Sequence, residues 1–292
     1  MAIGSTTEAN VTTKIAIALV IVLLCGILAK PLLAGITQTI AFITSLSRSK
    51  KHDRIDGYND LHSDAKTGVE GRTNEYTTLV DSYYDLATEF YEWGWGTSFH
   101  FATRFRDENF RLSILRHEHY LAGRLGVPQG AHILDCGCGI GGPARNIHRF
   151  TGAQVTAVTL NQFQVDRGNF LCHREGCSGM VKLVQADFMK LPFPDDSFDG
   201  VFAIESTCHA PDRVGVYKEI LRVLKPGAIF ACYEWCLTDK YDKDNAHHRK
   251  IKKDIEVGDG AHANPPCASC VYRLYKQASR ISFNRVHACV HA

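Results

Sequence analysis

Apolar and polar positions change rhythm three times along the chain. Residues 15–29 (IAIALVIVLLCGILA) are apolar throughout, and past Lys30 and Pro31 a milder apolar stretch continues to Leu46. A bilayer span needs about 20 residues, and Lys30 can snorkel to an interface or the helix can kink at Pro31, so 1–46 reads as a membrane anchor. Arg48, Lys50, Lys51 and His52 follow the run, against Glu8 and Lys14 before it. The positive-inside rule then puts the rest of the chain on the cytosolic side. Residues 47–75 are polar, carry glycines and show no apolar period, which predicts a linker.

The second rhythm is helical. In 81–92 (DSYYDLATEFYE), Tyr83, Leu86, Ala87 and Phe90 recur at helical spacing, and Asp81, Asp85, Glu89 and Glu92 share the other face. Gly94 and Gly96 end this helix. Residues 109–126 predict a second, with Ile114, Leu115, Tyr120, Leu121 and Leu125 as its apolar positions.

From His132 the chain alternates. Strands are expected at 132–136, 154–160, 181–187, 198–204 and 228–235, and helices at 142–150, 162–174 and 213–224, the last stopped by Lys225-Pro226-Gly227. Strand–helix alternation with short links predicts an α/β fold with a parallel, doubly wound sheet, which binds ligands at the carboxyl ends of its strands.

Composition narrows the function. The 292 residues carry a formal net charge of +2, which argues against a nucleic-acid binder. A hydrophobic fraction of 45% supports a substantial core. Eleven cysteines without regular spacing read as reduced apolar residues, not a disulfide scaffold. Cys267-x-x-Cys270 lacks the second pair that a zinc site needs, and no metal is expected.

The candidate chemistry begins at the first strand. GCGIGG (137–142) fits the G-x-G-x-x-G fingerprint, which alone is weak. Asp135 stands two residues before Gly137, where a carboxylate would repel a pyrophosphate on the helix N-terminus but suits a cationic ammonium. The second strand ends Thr159-Leu160-Asn161-Gln162, without the acid that a dinucleotide ribose takes. S-adenosylmethionine carries an ammonium and a sulfonium and no phosphate, so Asp135, Gly137, Gly139 and Gly141 are read as its cradle. Asn161 and Gln162 are candidates for its ribose hydroxyls. Asp187 is a candidate for its adenine amino group, the alternative being a turn carboxylate, and Phe188 is a candidate to flank the ring.

Together these residues resemble a family. YEWGWGTSFHF (91–101) holds five aromatic rings and a histidine on a glycine-broken segment. With RHEHYLAGRLG (116–126), LDCGCGIGGPARNI (134–147), IESTCHAP (204–211), LRVLKPG (221–227) and YEW (233–235), it resembles the sterol 24-C-methyltransferases from about Tyr83 to Gly260. The family usually has valine where this chain has Cys136. After Gly260 the resemblance stops.

The resemblance implies a Rossmann-like methyltransferase core over 127–260, a helical and aromatic sterol-binding segment over 76–126, and an unrelated tail over 261–292. It implies methyl transfer to carbon 24 of a sterol side-chain alkene. The alkene attacks without prior deprotonation, and the carbocation formed is steadied by aromatic faces, each worth about 0.5–2 kcal/mol. Tyr91, Trp93, Trp95, Phe99 and Phe101 are the implied pocket walls, with Tyr233 and Glu234 closing the far side beside Trp235. Glu205 and His209, just past the fourth strand, are the implied groups for the closing proton removal, with Asp85, Glu89 and Glu92 as alternatives. The expected partners are a sterol, the membrane through the N-terminal helix, and a second copy of the chain. The expected location is the endoplasmic reticulum membrane. A methyltransferase for a quinone or tocopherol-like ring, and a truncated non-catalytic form, are the competing readings.

Overall fold

The computed structural model describes residues 76–238, 240–259 and the pair 287–288. The expected anchor (1–46) and linker (47–75), and nearly all of the tail, lie outside the described residues. Contacts divide the chain at Arg54, and every described residue falls in the unit Ile55–Ala292. Among the described residues no helix is long and apolar enough to cross a membrane.

Two helices precede the sheet, α1 (Tyr76–Gly94) and α2 (Phe110–Leu125). The first begins five residues before the start that the apolar period sets. The second has both signals that its sequence promises: the Asn109 side chain accepts the Leu112 amide at 2.9 Å, and Gly126 closes the helix at φ 64°. Then come β1 (His132–Cys136), α3 (Gly142–Thr151), β2 (Gln154–Thr159), α4 (Gln162–Arg174), β3 (Val181–Gln185) and β4 (Phe198–Ile204). They are followed by α5 (Arg213–Val223), β5 (Leu224–Tyr233), α6 (Ala246–Asp259) and a two-residue β6 (His287–Ala288). The bounds of β1, α4 and β4 match the sequence expectation to the residue. No periodicity announces α6, whose mapped side chains are mostly exposed.

The strands pair in the order β3-β2-β1-β4-β5-β6, all parallel. Successive residues of β1 feed opposite faces: Ile133 joins Leu121, Ile147 and Phe202 on one side, and Leu134 joins Val201, Tyr217 and Ile220 on the other. A strand buried on both faces has to be apolar nearly throughout, as HILDC and FDGVFAI are. Helix α5 ends just before Lys225-Pro226-Gly227, as expected, but β5 already begins at Leu224 where the sequence reading starts it at 228. Leu224 pairs with Phe198 and Ile229 with Gly200, so the ladder shifts register between them and leaves 225–227 exposed. That irregularity accommodates a proline with no N–H to offer a ladder.

The order reverses between β1 and β4. Their carboxyl ends, Cys136 and Ile204, therefore flank the crevice where a doubly wound sheet takes its ligand.

Candidate active site

The chain leaves β1 through the glycine loop. Gly137 and Cys138 both donate to the Val158 carbonyl, at 3.0 and 2.9 Å, which holds the loop to the end of β2. The buried Arg145 guanidinium braces it from α3, donating to the Ile140 carbonyl at 2.7 Å and to Glu175 at 3.1 Å. Gly137 has φ 92°, and a Cβ there would overlap the Ser206 side chain, so this corner requires glycine.

Asp135 ends in this cradle, 1% exposed, and its Oδ2 has no hydrogen-bond partner. Burial, and next the charge of Glu118, hold its carboxyl well above the usual carboxylate range. A buried acceptor without a donor is costly, and a cationic ligand group supplies what it lacks. The residues present thus fit S-adenosylmethionine, whose ammonium Asp135 would hold.

The aromatic segment lies directly on this loop. A Cβ on Gly139 would stand 3.1 Å from the Phe99 ring, and one on Gly142 would overlap the Thr97 carbonyl and the Ser98 hydroxyl. Tyr91, Trp95, Phe99 and Phe101 converge with Tyr84 and Trp235 on an inner cavity of about 60 Å³, which Glu205 and His209 also line. Tyr91 packs on Phe99 with centroids 5.3 Å apart, and Phe101 meets Trp95 and Trp235 edge to face at 4.8 and 5.5 Å. Phe101, Glu205 and Trp235 also border an outer cavity of about 330 Å³ with Tyr233, Glu234 and His117. The two cavities share Phe101, Glu205 and Trp235 as a common wall.

Glu205 follows β4 in the left-handed region, at φ 51°. Its Oε1 accepts the Phe101 amide at 3.1 Å, so it fastens the aromatic segment to the sheet. Burial, only partly countered by His100 and the Phe101 amide, raises its carboxyl to about 7. His209 sits in the one-turn helix Thr207–His209, and its Nε2 lies 2.9 Å from the Tyr84 hydroxyl.

Several expected site residues are exposed or have partners within the protein, Tyr233 and Glu234 among the latter while also lining the outer cavity. Trp93 is 73% exposed: α1 continues through it, so it stands two helical positions from Tyr91 and faces outward. Asn161 caps α4 by accepting the Gln164 amide and donates to Asp81 at 2.8 Å, and Gln162 is exposed and donates to Asp166 at 2.8 Å. Asp187 accepts the Met189 amide at 2.8 Å, the turn role weighed against adenine contact. Phe188 is buried in the core beside Leu191 and Val158, because the chain turns inward after β3. Tyr233 stacks on His117 at 3.7 Å, and Glu234 accepts the Trp235 amide and the Thr207 hydroxyl. Of the alternative acids, Glu92 pairs with Arg167, and the Asp85 side chain lies outside the described ones.

Sequence reasoning missed a buried network. Glu118 accepts from Ser98 at 2.7 Å, from His100 at 3.1 Å and from Asn146 at 2.7 Å, linking the aromatic segment, α2 and α3. Burial by itself lowers the His100 imidazole, but the hydrogen bond and charge of Glu118 outweigh it, and the net shift is upward. The clue was the occurrence of Glu118 and His117 on the apolar side of α2; His119 faces away and stacks on Phe150 at 4.3 Å. A separate cavity of about 850 Å³, between Trp95, Phe110 and Arg149, is bordered by none of Asp135, Glu205 and His209.

Comparison with known proteins bears on this arrangement. A family model described as a methyltransferase domain matches residues 134–232. Cycloartenol-C-24-methyltransferase of Arabidopsis thaliana is 55% identical over 206 residues, 70% of this chain and 61% of that protein. Cycloartenol-C-24-methyltransferase 1 of Oryza sativa subsp. japonica is 53% identical over 215 residues, 74% of this chain and 62% of its own length. A sterol 24-C-methyltransferase of Kluyveromyces lactis is 49% identical over 202 residues, 68% of this chain and 54% of its own. Over these residues the chain is similar to the sterol 24-C-methyltransferases. It spans only half to three fifths of the length of these relatives. Among solved structures, the [4+2]-cyclase SpnF superposes with a TM-score of 0.58 at 25% identity, over 69% of this chain and 71% of that one. The geranyl diphosphate C-methyltransferase of Streptomyces coelicolor A3(2) superposes at 0.57 and 20% identity, over 70% and 78%, and speaks for the fold.

Proposed function

We propose that the protein transfers a methyl group from S-adenosylmethionine to carbon 24 of a sterol side-chain alkene. The observation that carries this reading is the convergence of aromatic faces and the single Glu205 carboxylate on a cavity whose Phe99 wall packs on the glycine loop. When bound, S-adenosylmethionine supplies the methyl electrophile. Asp135 offers its Oδ2 to the ammonium, and the loop glycines leave room for the backbone of the cradle. The alkene brings its own electrons, so no base is needed at the start. Methylation leaves a carbocation on the side chain, in a space where Tyr91, Trp95, Phe99 and Phe101 offer π-faces that attract a cation without bonding to it. Glu205, partly ionised near neutrality, adds a negative charge close by. The dense ring cluster favours a cationic intermediate over a phenol acceptor, which needs a base instead. The N-terminal apolar run supports work at a membrane, with the site on the cytosolic side of the endoplasmic reticulum, and self-association is part of the same reading.

Sterol analysis tests it. The chain, expressed in cells that lack carbon-24 methylation, is expected to yield 24-methylated sterols. Purified protein is expected to form S-adenosylhomocysteine only when a sterol with a side-chain alkene is present. Cofactor binding without sterol-dependent turnover would remove the sterol from the reading and leave the cofactor in it.

A further inference from the structure

We propose that Tyr84 is a catalytic residue, the group that takes the closing proton and passes it to His209. The inference rests on the methyl-transfer reading and goes beyond it by naming the acceptor. Tyr84 and His209 both line the inner cavity, with their rings edge to face at 5.6 Å. The hydroxyl and Nε2 are 2.9 Å apart, a normal hydrogen bond. His209 itself is 6% exposed. Its Nε2 is thus already joined to the phenol, and the phenol oxygen is the atom through which a proton from the cavity reaches it.

The balance is simple. A C–H bond next to the cationic carbon breaks, and its electron pair becomes the new C=C bond. The proton bonds to the Tyr84 oxygen while the tyrosine's own proton moves to Nε2. Tyrosine ends neutral and His209 ends as imidazolium, to be discharged to solvent. A phenol alone is too weak a base for this near pH 7, and the coupled imidazole removes that obstacle. Glu205 serves a separate purpose: its Oε1 is engaged with the Phe101 amide, and a carboxylate that closed on the cation would trap it as an ester. Helix α1 fixes the phenol in place through Asp81–Asn161 at 2.8 Å and Thr88–Gln164 at 3.1 Å, the turns on either side of Tyr84.

The test compares the full chain with Tyr84→Phe, which keeps the ring and removes the oxygen. S-adenosylhomocysteine formation reports methylation, and sterol analysis reports the fate of the cation. In Tyr84→Phe, kcat for alkene product is expected to fall on the order of a hundredfold, the lower end for general acid–base catalysis. KM is expected to hold within about twofold, since binding is untouched. The methylated product is expected to shift from alkene to the alcohol formed when water captures the cation. In cofactor-free protein labelled with 15N-histidine, the Nε2 signal of His209 is expected to move. 3-Fluorotyrosine at position 84 preserves shape and lowers the phenol's pKa, so it is expected to shift the pH–rate profile downward; this variant decides the matter if Tyr84→Phe does not fold. Wild-type kcat and wild-type product from Tyr84→Phe, or an unmoved profile with fluorotyrosine, would overturn the relay alone. A wild-type chain that forms no S-adenosylhomocysteine with any sterol alkene would overturn the functional reading and the relay together.

Discussion

Asp135 holds a carboxyl group in a fully buried place with one oxygen unpartnered. In the free protein it keeps its proton far above the usual range, and a cationic ligand would let it ionise. Asp135→Asn is therefore expected to stabilise the free protein slightly and to weaken S-adenosylmethionine binding about 10- to 100-fold, the worth of a charge-assisted bond of roughly 1.5–3 kcal/mol. Calorimetry at pH 7 checks both halves. Glu205 gives a pH signature. With its carboxyl near 7, it gains charge as the pH rises through neutrality, so kcat is expected to rise between about pH 6 and 8 and to lose that limb in Glu205→Gln. Stability runs the other way. The folded state holds a proton that the unfolded state releases above about 4.3, so this residue's contribution falls as the pH rises from there to about 7. A urea series across that window, wild type against Glu205→Gln, reads the difference. Asp135 and Glu205 were legible in the sequence because a strand end and its loop fix the place of a side chain. Tyr84, His100 and Glu118 were not, since only the packing of α1 and α2 against the sheet decides whom they meet.

Helix α1 shows the same limit one level up. Its period set an apolar against an acidic face, but Phe90 of the apolar set is exposed and the acidic side packs inward, since a period cannot say what either face meets. In the structure Asp81, Thr88 and Glu92 of α1 run against Asn161, Gln164 and Arg167 of α4. Glu92 takes both a 2.8 Å and a 2.5 Å bond from the one guanidinium. The seam joining the helix to the cofactor side of the sheet is thus polar. Thr88 and Gln164 are both buried, so Thr88→Val leaves an amide without its acceptor and is expected to cost about 1–3 kcal/mol. The chemical-denaturation midpoint reports it. Adding Gln164→Leu is not expected to restore the loss, because it strips the Thr159 hydroxyl of the Gln164 oxygen that it donates to at 2.6 Å; the triple variant with Thr159→Val removes all three polar groups together and is expected to recover most of it. The strands were read nearly in full for a different reason: parallel strands buried on both faces are written as short apolar runs, and a glycine or an acid marks their ends. Only β5 was misjudged at its start, where a register shift lets a proline and a glycine enter a strand.

At the scale of the molecule, the fold and the chemistry are separable. A cyclase superposes on the same framework as well as a methyltransferase does, so the framework does not choose the reaction. In this chain an aromatic segment lies over the loop. Binding to the folded state alone stabilises it by about 2.7 kcal/mol at a hundred times Kd, which moves Tm by roughly 5–11 °C in a domain of this size. S-adenosylmethionine at a hundred times the wild-type Kd is expected to produce that shift in the wild type and only about 0.4–1.4 kcal/mol of stabilisation in Asp135→Asn, as thermal scans at fixed protein concentration would show.

The closeness of Gly142 to the Thr97 carbonyl carries that coupling into time. Cofactor loop and aromatic segment touch without a side chain between them, so neither can relax while the other stays put. Amide hydrogens at 97–101 should therefore exchange with deuterium at a rate set by cofactor occupancy, and the spent cofactor should leave only in the intervals when the aromatic segment has lifted.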